Sequence, residues 1–153
     1  MVVVDQRDVA QRNLFGFAAP YRDPPQVAVA IDQQVVPFLA GPQGIADAID
    51  GAQIGPKQTG VTGSGWGAGQ TGTALGILAQ NGDTDALNSI GLVILDNNTN
   101  RAGGGFWTTY YPFAPLLLTT ADPTPSNLKV GGPVLDVAYE YNINSDAPVD
   151  PLN

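Results

Sequence analysis

The feature of this chain that most constrains its fold is a glycine-rich turn between a predicted strand and a predicted helix. The strand covers residues 59–64, the turn reads Gly65-Trp66-Gly67-Ala68-Gly69, and the helix covers residues 71–80. Small residues at such a junction allow a tight turn and close packing of the helix on the sheet. A strand that leads directly into a helix is typical of α/β proteins with a parallel sheet.

The other predicted elements favour the same class. Ile45, Ala48 and Ile49 have helical spacing and predict an amphipathic helix over residues 43–52. The helix over residues 71–80 is followed by Asn81-Gly82, a typical helix stop. Apolar runs predict strands, the strongest of them at the sheet centre over residues 90–95, and the others over residues 27–31, 116–120 and 134–141.

These elements predict an α/β fold with a mostly parallel central sheet flanked by helices and a β-rich C-terminal half. Residues 97–105 are expected to form a loop. Residues 1–24 are expected to be irregular, and residues 25–153 are expected to form a single domain.

The composition excludes several classes of function. The 153 residues include no Cys and no His, so disulfides and zinc, haem or iron–sulfur sites are not expected, and we predict neither a metal nor a cofactor. The formal net charge is −8 and the six Lys and Arg residues are spread singly, so nucleic acids and anionic membrane surfaces are not expected partners.

Targeting signals are also missing from the sequence. The N-terminal residues lack the basic and apolar regions of a secretory signal, and no apolar stretch approaches the roughly 18 residues of a membrane span. We therefore expect a protein that stays in the cytoplasm or leaves the cell as part of an assembly, without insertion into a membrane.

Two motifs near the turn have alternative readings. Gly67-x-Gly69-x-x-Gly72 matches a dinucleotide fingerprint, and Asp96 ends the next strand, where a ribose-binding acid would lie. The alternative is that these glycines only let the helix pack closely.

Asp96-x-Asn98-x-Asn100 resembles the start of a calcium loop, but Arg101 and Trp107 occupy the positions that need Gly and Glu, so an ordinary Asx-rich loop is expected.

Aromatic residues are concentrated in residues 106–113, which hold five of the twelve in the chain. Trp107, Tyr110 and Tyr111 are candidate binding residues for a sugar, a lipid or a protein, because Trp and Tyr are favoured at recognition surfaces. The alternative is a packed corner between the loop and a hairpin.

Three stretches of the sequence resemble the C-terminal domain of mycobacterial PE-PPE proteins, a serine α/β-hydrolase of cutinase-like type, and they occur in the same order as in that domain. The resemblance covers roughly residues 25–153. The turn Gly65-Trp66-Gly67-Ala68-Gly69 corresponds to the Gly-x-Ser-x-Gly nucleophile elbow, and residues 91–105 correspond to a strand and a glycine-rich loop. Residues 141–153 follow the family's C-terminal signature, with matches at Tyr141, Asp146, Pro148, Pro151, Leu152 and Asn153.

The departures from this family bear on catalysis. In this alignment Gly67 takes the place of the serine nucleophile, Asn142 replaces one of two candidate aspartates, and the family's histidine has no counterpart. The resemblance therefore implies a trimmed hydrolase domain that is not an enzyme. Its elbow (Gly65, Gly67 and Gly69) and its acid (Asp146) are vestigial.

We expect a non-catalytic structural or recognition module that belongs to a larger assembly, such as a mycobacteriophage virion in which it would be a minor tail protein. The expected partners are other protein subunits, with further copies of the chain or a cell-envelope ligand as alternatives. Two other functions stay open: a relative of envelope-associated carboxylester hydrolases, and a dinucleotide-binding domain that uses Gly67, Gly69 and Gly72.

Overall fold

A computed structural model of the protein describes residues 2–6, 32–53, 55–117 and 119–148. These residues form five strands and four α-helices, and two 3-10 helices lie at Phe38–Ala40 and Tyr111–Leu117. In chain order the elements are β1 (Val2–Gln6), β2 (Asp32–Val36), α1 (Gly41–Gly51), β3 (Thr59–Ser64), α2 (Trp66–Asn81), α3 (Thr84–Ser89), β4 (Ile90–Asp96), α4 (Phe106–Thr109) and β5 (Val134–Val137).

The strands form one open sheet in the order β2-β1-β3-β4-β5. Strands β3, β4 and β5 are parallel neighbours, whereas β1 is antiparallel to both β2 and β3. The expected α/β class is confirmed. The sheet is mixed and not mostly parallel, because two of its four strand pairings are antiparallel, and the prediction of a β-rich C-terminal half is wrong, since β5 is the one described strand after β4 and has four residues. Because the carboxyl ends of β3, β4 and β5 lie at the same edge of the sheet, the residues after these strands lie near one another.

The core lies between the sheet and the helices α1 and α2. Val61 on β3 and Val93 and Leu95 on β4 point to this side of the sheet, where Ile49 and Leu75 of the helices bury them. Gly82 ends α2 in the left-handed conformation, with a φ of 76°, which glycine adopts without strain. No helix in the described part of the chain combines the length and the apolar character that a membrane crossing needs.

Several predicted elements are confirmed by the structure. The strand over residues 59–64 and the helix stop at Gly82 fall where they were expected. The helix predicted over residues 43–52 is α1, which runs from Gly41 to Gly51. The strand predicted over residues 90–95 is β4, which pairs with β3 on one side and β5 on the other.

Other predictions were wrong. A strand was predicted over residues 116–120, but a 3-10 helix that contains Pro115 covers residues 111–117 and so includes the start of that stretch. The strand predicted to end at Tyr141 ends at Val137, and Tyr141 lies in a turn with a φ of 64°. The helix predicted from residue 71 begins five residues earlier, at Trp66.

The N-terminal segment also differs from its prediction. Residues 2–6 were expected to be irregular, but they form β1, whose two neighbours give it an interior position in the sheet. The rest of the predicted irregular segment and the strand predicted over residues 27–31 lie outside the described residues.

Candidate functional site

The sharp turn between β3 and α2 falls at Gly65. This residue has a φ of 56° and a ψ of −122°, a conformation that residues with a side chain rarely adopt. Its amide donates a hydrogen bond to the Asp96 carbonyl oxygen at 2.8 Å, which fixes the turn to the end of β4. Residue 65 is therefore the position from which a nucleophile would project in an elbow of this type.

The alignment made from the sequence put Gly67 in place of the serine, whereas the sharp turn lies at Gly65. Gly67 is buried in the first turn of α2 and is part of the helix. In an elbow centred on Gly65 the five positions would be Gly63-Ser64-Gly65-Trp66-Gly67. A Cβ placed on Gly63 would lie 2.8 Å from the Gly67 carbonyl oxygen and 2.9 Å from Ala68 Cα, so this position requires glycine. Glycine at every second position from 63 to 69 allowed two registers for one motif, and both leave a glycine in the nucleophile position.

Small polar side chains surround the turn at the carboxyl edge of the sheet. Ser64 donates a hydrogen bond from Oγ to Asp96 Oδ2 at 2.9 Å, and Asn97 Nδ2 donates to Asp96 Oδ1 at 3.2 Å. Ser145 Oγ donates to Asn97 Oδ1 at 3.1 Å, and a Cβ placed on Gly65 would lie 4.0 Å from Asn144 Nδ2. The hydroxyl nearest the turn is thus bound to a carboxylate.

Asp146, the predicted vestigial acid, stabilises a turn of its own. Its exposed carboxylate accepts a hydrogen bond from the backbone amide of Tyr141 at 2.9 Å, and its amide donates to the Asn142 carbonyl oxygen at 2.7 Å. The side chain that this segment brings to Gly65 is instead that of Asn144. An amide at this place can donate or accept a hydrogen bond, but it cannot hold the negative charge that an imidazolium needs beside it.

The glycines of α2 pack against two loops. A Cβ on Gly69 would lie 2.5 Å from Thr99 Oγ1 and 2.6 Å from Asn100 Oδ1, and a Cβ on Gly72 would collide with Thr124 Oγ1. In a dinucleotide site the second glycine of the fingerprint leaves room for a pyrophosphate. At Gly69 that room is filled by Thr99 and Asn100, so the observed contacts favour the close-packing alternative.

The Asx-rich loop is a buried polar network. Asn98 and Asn100 are fully buried. Asn100 Nδ2 donates to the carbonyl oxygens of Thr120 and Asp122, both at 3.0 Å, and Asn98 Nδ2 donates to Thr124 Oγ1 at 2.9 Å. These bonds fasten residues 120–124 to the end of β4. Among the described residues, no group of three or more His, Cys, Asp or Glu side chains is placed to hold a metal ion.

Five aromatic rings form a continuous row of tilted and edge-to-face contacts, which we call the aromatic stack. Ring centroids are 5.7 Å apart for Phe38 and Trp66, 5.2 Å for Trp66 and Trp107, 4.7 Å for Phe106 and Trp107, and 5.0 Å for Phe106 and Tyr110. Trp107 is 1% exposed, and its indole N–H has no hydrogen-bond partner among the described residues. Trp66, the residue after Gly65, therefore anchors the start of α2 to α4 through its contact with Trp107.

An apolar groove of about 340 Å³ lies beside this stack. Of the three binding residues predicted from the sequence, Trp107 and Tyr110 line the groove, and the Tyr110 hydroxyl donates to the Pro148 carbonyl oxygen at 3.0 Å. Tyr111 does not line the groove and is 67% exposed. Sequence reasoning missed two exposed lining residues, Phe113 and Ile143, because no sequence pattern joins residue 143 to the aromatic cluster.

Comparisons of the chain with protein-family models, with curated proteins and with solved structures found no match. The resemblance to the PE-PPE C-terminal domain therefore rests on the three sequence stretches.

Proposed function

We propose that this protein is a non-catalytic recognition module that derives from a hydrolase-like α/β domain and acts as a subunit of a larger assembly. One observation carries the proposal: the strand–helix turn at which a serine hydrolase exposes its nucleophile is occupied by Gly65. The geometry of the turn is present, and the attacking atom is not.

The neighbouring groups offer no replacement for that atom. Ser64 is exposed and adjacent to the turn, but its hydroxyl donates to Asp96. Activation of serine requires a base such as an imidazole or an amine, and the chain contains no histidine. Loss of a nucleophile or of its base reduces turnover by several orders of magnitude. Acyl transfer is therefore not a function that these residues support.

The groove beside the aromatic stack is the surface that we assign to recognition. Its lining residues, Phe106, Trp107, Tyr110, Phe113 and Ile143, carry no charge, and aromatic side chains are enriched in the centres of protein interfaces. We assign the groove to apolar side chains of a neighbouring protein subunit. The resemblance to a mycobacterial family supports a virion of a mycobacteriophage as that assembly, with this chain as a minor tail protein.

A site-specific crosslink tests this assignment. A photoreactive phenylalanine analogue at Phe113 should crosslink to one defined subunit when the protein is assembled, whereas the same analogue at Asn88, an exposed residue of α3, should not. Mass spectrometry of purified virions would identify the crosslinked subunit. Equal crosslinking from both positions, or none from Phe113, would reject the groove as the interface.

Hydrolysis of p-nitrophenyl esters tests the lack of catalysis separately. We expect no turnover above the buffer rate for the wild-type protein. A rate that is abolished in Ser64→Ala or Asp146→Ala would show an esterase and would contradict the proposal.

A further inference from the structure

A second hollow is distinct from the elbow and from the aromatic groove, and it is lined by one positively and one negatively charged side chain that form no ion pair with each other. Its volume is about 300 Å³, and it lies between the loop after β4, residues 124–128 and strand β5. Arg101 and Asp136 both line it. Neither residue forms an ion pair with any residue that the structure describes.

The side chains of Arg101 and Asp136 have hydrogen-bond donors and acceptors that a ligand could use. Arg101 is half-buried, and its guanidinium has no hydrogen-bond partner among the residues at 2–6, 32–53, 55–117 and 119–148. A guanidinium presents five donors in a planar fork that matches a carboxylate. Asp136 is exposed, and its carboxylate accepts one hydrogen bond, from Asn98 Nδ2 at 3.2 Å, which leaves most of its acceptor capacity open to a ligand.

The remaining lining residues are largely aliphatic. Leu128 and Val134 are half-buried and accessible, whereas Leu95 is fully buried. A volume near the lower limit of small-molecule sites fits a ligand with a short hydrocarbon body. The hollow therefore offers an apolar wall with one positive and one negative group.

The overall charge decides which kind of ligand suits it. The chain carries a net charge of −8, so a simple anion is repelled both by the whole protein and by Asp136. A simple cation would leave Arg101 without a partner. A zwitterion satisfies both groups and has no net charge.

We propose that this hollow binds a free aliphatic α-amino acid, with its carboxylate at Arg101, its ammonium group at Asp136 and its side chain against Leu128 and Val134. This site is distinct from the recognition groove, and its failure would leave the function proposed above unaffected.

Isothermal titration calorimetry with L-leucine tests the proposal. Saturable binding is expected for the wild-type protein, and Arg101→Gln and Asp136→Asn should each weaken it about tenfold or more, as expected for the loss of a charged hydrogen-bonding partner. Asparagine at 136 can still accept the bond from Asn98, so this variant should fold, and circular dichroism would verify it. Lys129→Gln and Asp122→Asn are matched controls, since they change the net charge equally at exposed residues outside the hollow.

Two analogues of leucine separate the charge requirements. 4-Methylpentanoate lacks the ammonium group and 3-methylbutylamine lacks the carboxylate, so both should bind at least about tenfold more weakly than leucine. The proposal is overturned if the folded wild-type protein shows no saturable binding of leucine, or if both site variants bind it as the controls do. Equal affinity for 4-methylpentanoate and leucine would also overturn it.

Discussion

Gly69 of α2 lies so close to Asn100 that a Cβ on residue 69 would be 2.6 Å from Asn100 Oδ1. Asn100 cannot easily move away, because its amide nitrogen donates to the carbonyl oxygens of Thr120 and Asp122. This contact explains why position 69 of α2 is glycine: a larger residue would collide with the loop that follows β4. It also fixes where the loop after β4 lies relative to the elbow.

We predict that Gly69→Ala destabilises the protein despite the higher helix propensity of alanine. Overpacking of a core contact costs about 1–3 kcal/mol, and the propensity gain offsets about 1 kcal/mol of it. Gly51→Ala in α1 is the matched control, since a Cβ there meets nothing within 4 Å, and its stability should be unchanged or higher. Urea unfolding of both variants gives the comparison, and a stabilised Gly69→Ala would show that the contact is absent.

Asn100→Ala should lower the free energy of unfolding by about 2–3 kcal/mol, because it removes a fully buried amide and the two bonds that hold residues 120–122. Asn88→Ala removes an exposed amide and should change stability by no more than about 0.5 kcal/mol. Chemical denaturation measures both values. Equal effects for the two variants would mean that the loop network contributes nothing.

The position of the elbow predicts an order of effects for two alanine substitutions. Gly65→Ala should cost about 1–2 kcal/mol, because its positive φ is strained for any residue with a Cβ although the space beside it is open. Gly63→Ala should cost more, about 3 kcal/mol, because its Cβ would meet the backbone of residues 67 and 68, which cannot rotate away. The reverse order in thermal or urea unfolding would place the turn at another residue.

We expect alanine substitutions in the aromatic cluster to differ in their effect on stability, according to whether the side chain is buried or exposed. Trp107→Ala should lose about 3–5 kcal/mol of stability, as expected for deletion of a large buried aromatic side chain. Tyr111→Ala should stay within about 0.5 kcal/mol of wild type, since the Tyr111 side chain is mostly exposed. If thermal unfolding shows similar losses for both, then Tyr111 is covered in solution.

Elements fixed by local pattern could be predicted from the sequence. The apolar period of α1, the apolar run of β4 and the glycine stop after Asn81 depend on residues that are near one another in the chain. The strand–helix junction was also predictable, but its register was not, because glycine recurs at residues 63, 65, 67 and 69. Only the backbone conformation of Gly65 distinguishes the two alignments.

Features that depend on distant contacts were not predictable. Asn98 and Asn100 have the composition of a solvated loop, and their burial follows from partners at residues 120–124. The groove likewise needs Ile143, which a turn brings beside the aromatic residues. At residues 116–120 an apolar run suggested a strand, but residues 111–117 form a 3-10 helix that contains Pro115.

Labelling with a fluorophosphonate probe, followed by intact-mass spectrometry, tests most directly whether this elbow is catalytically empty. Such a probe reacts with an activated serine at a hydrolase site, and the residue at the turn here is Gly65. We expect the native protein to keep its unlabelled mass. Stoichiometric addition of one probe molecule, lost on Ser64→Ala, would show that Ser64 is an active nucleophile and that the protein is an enzyme.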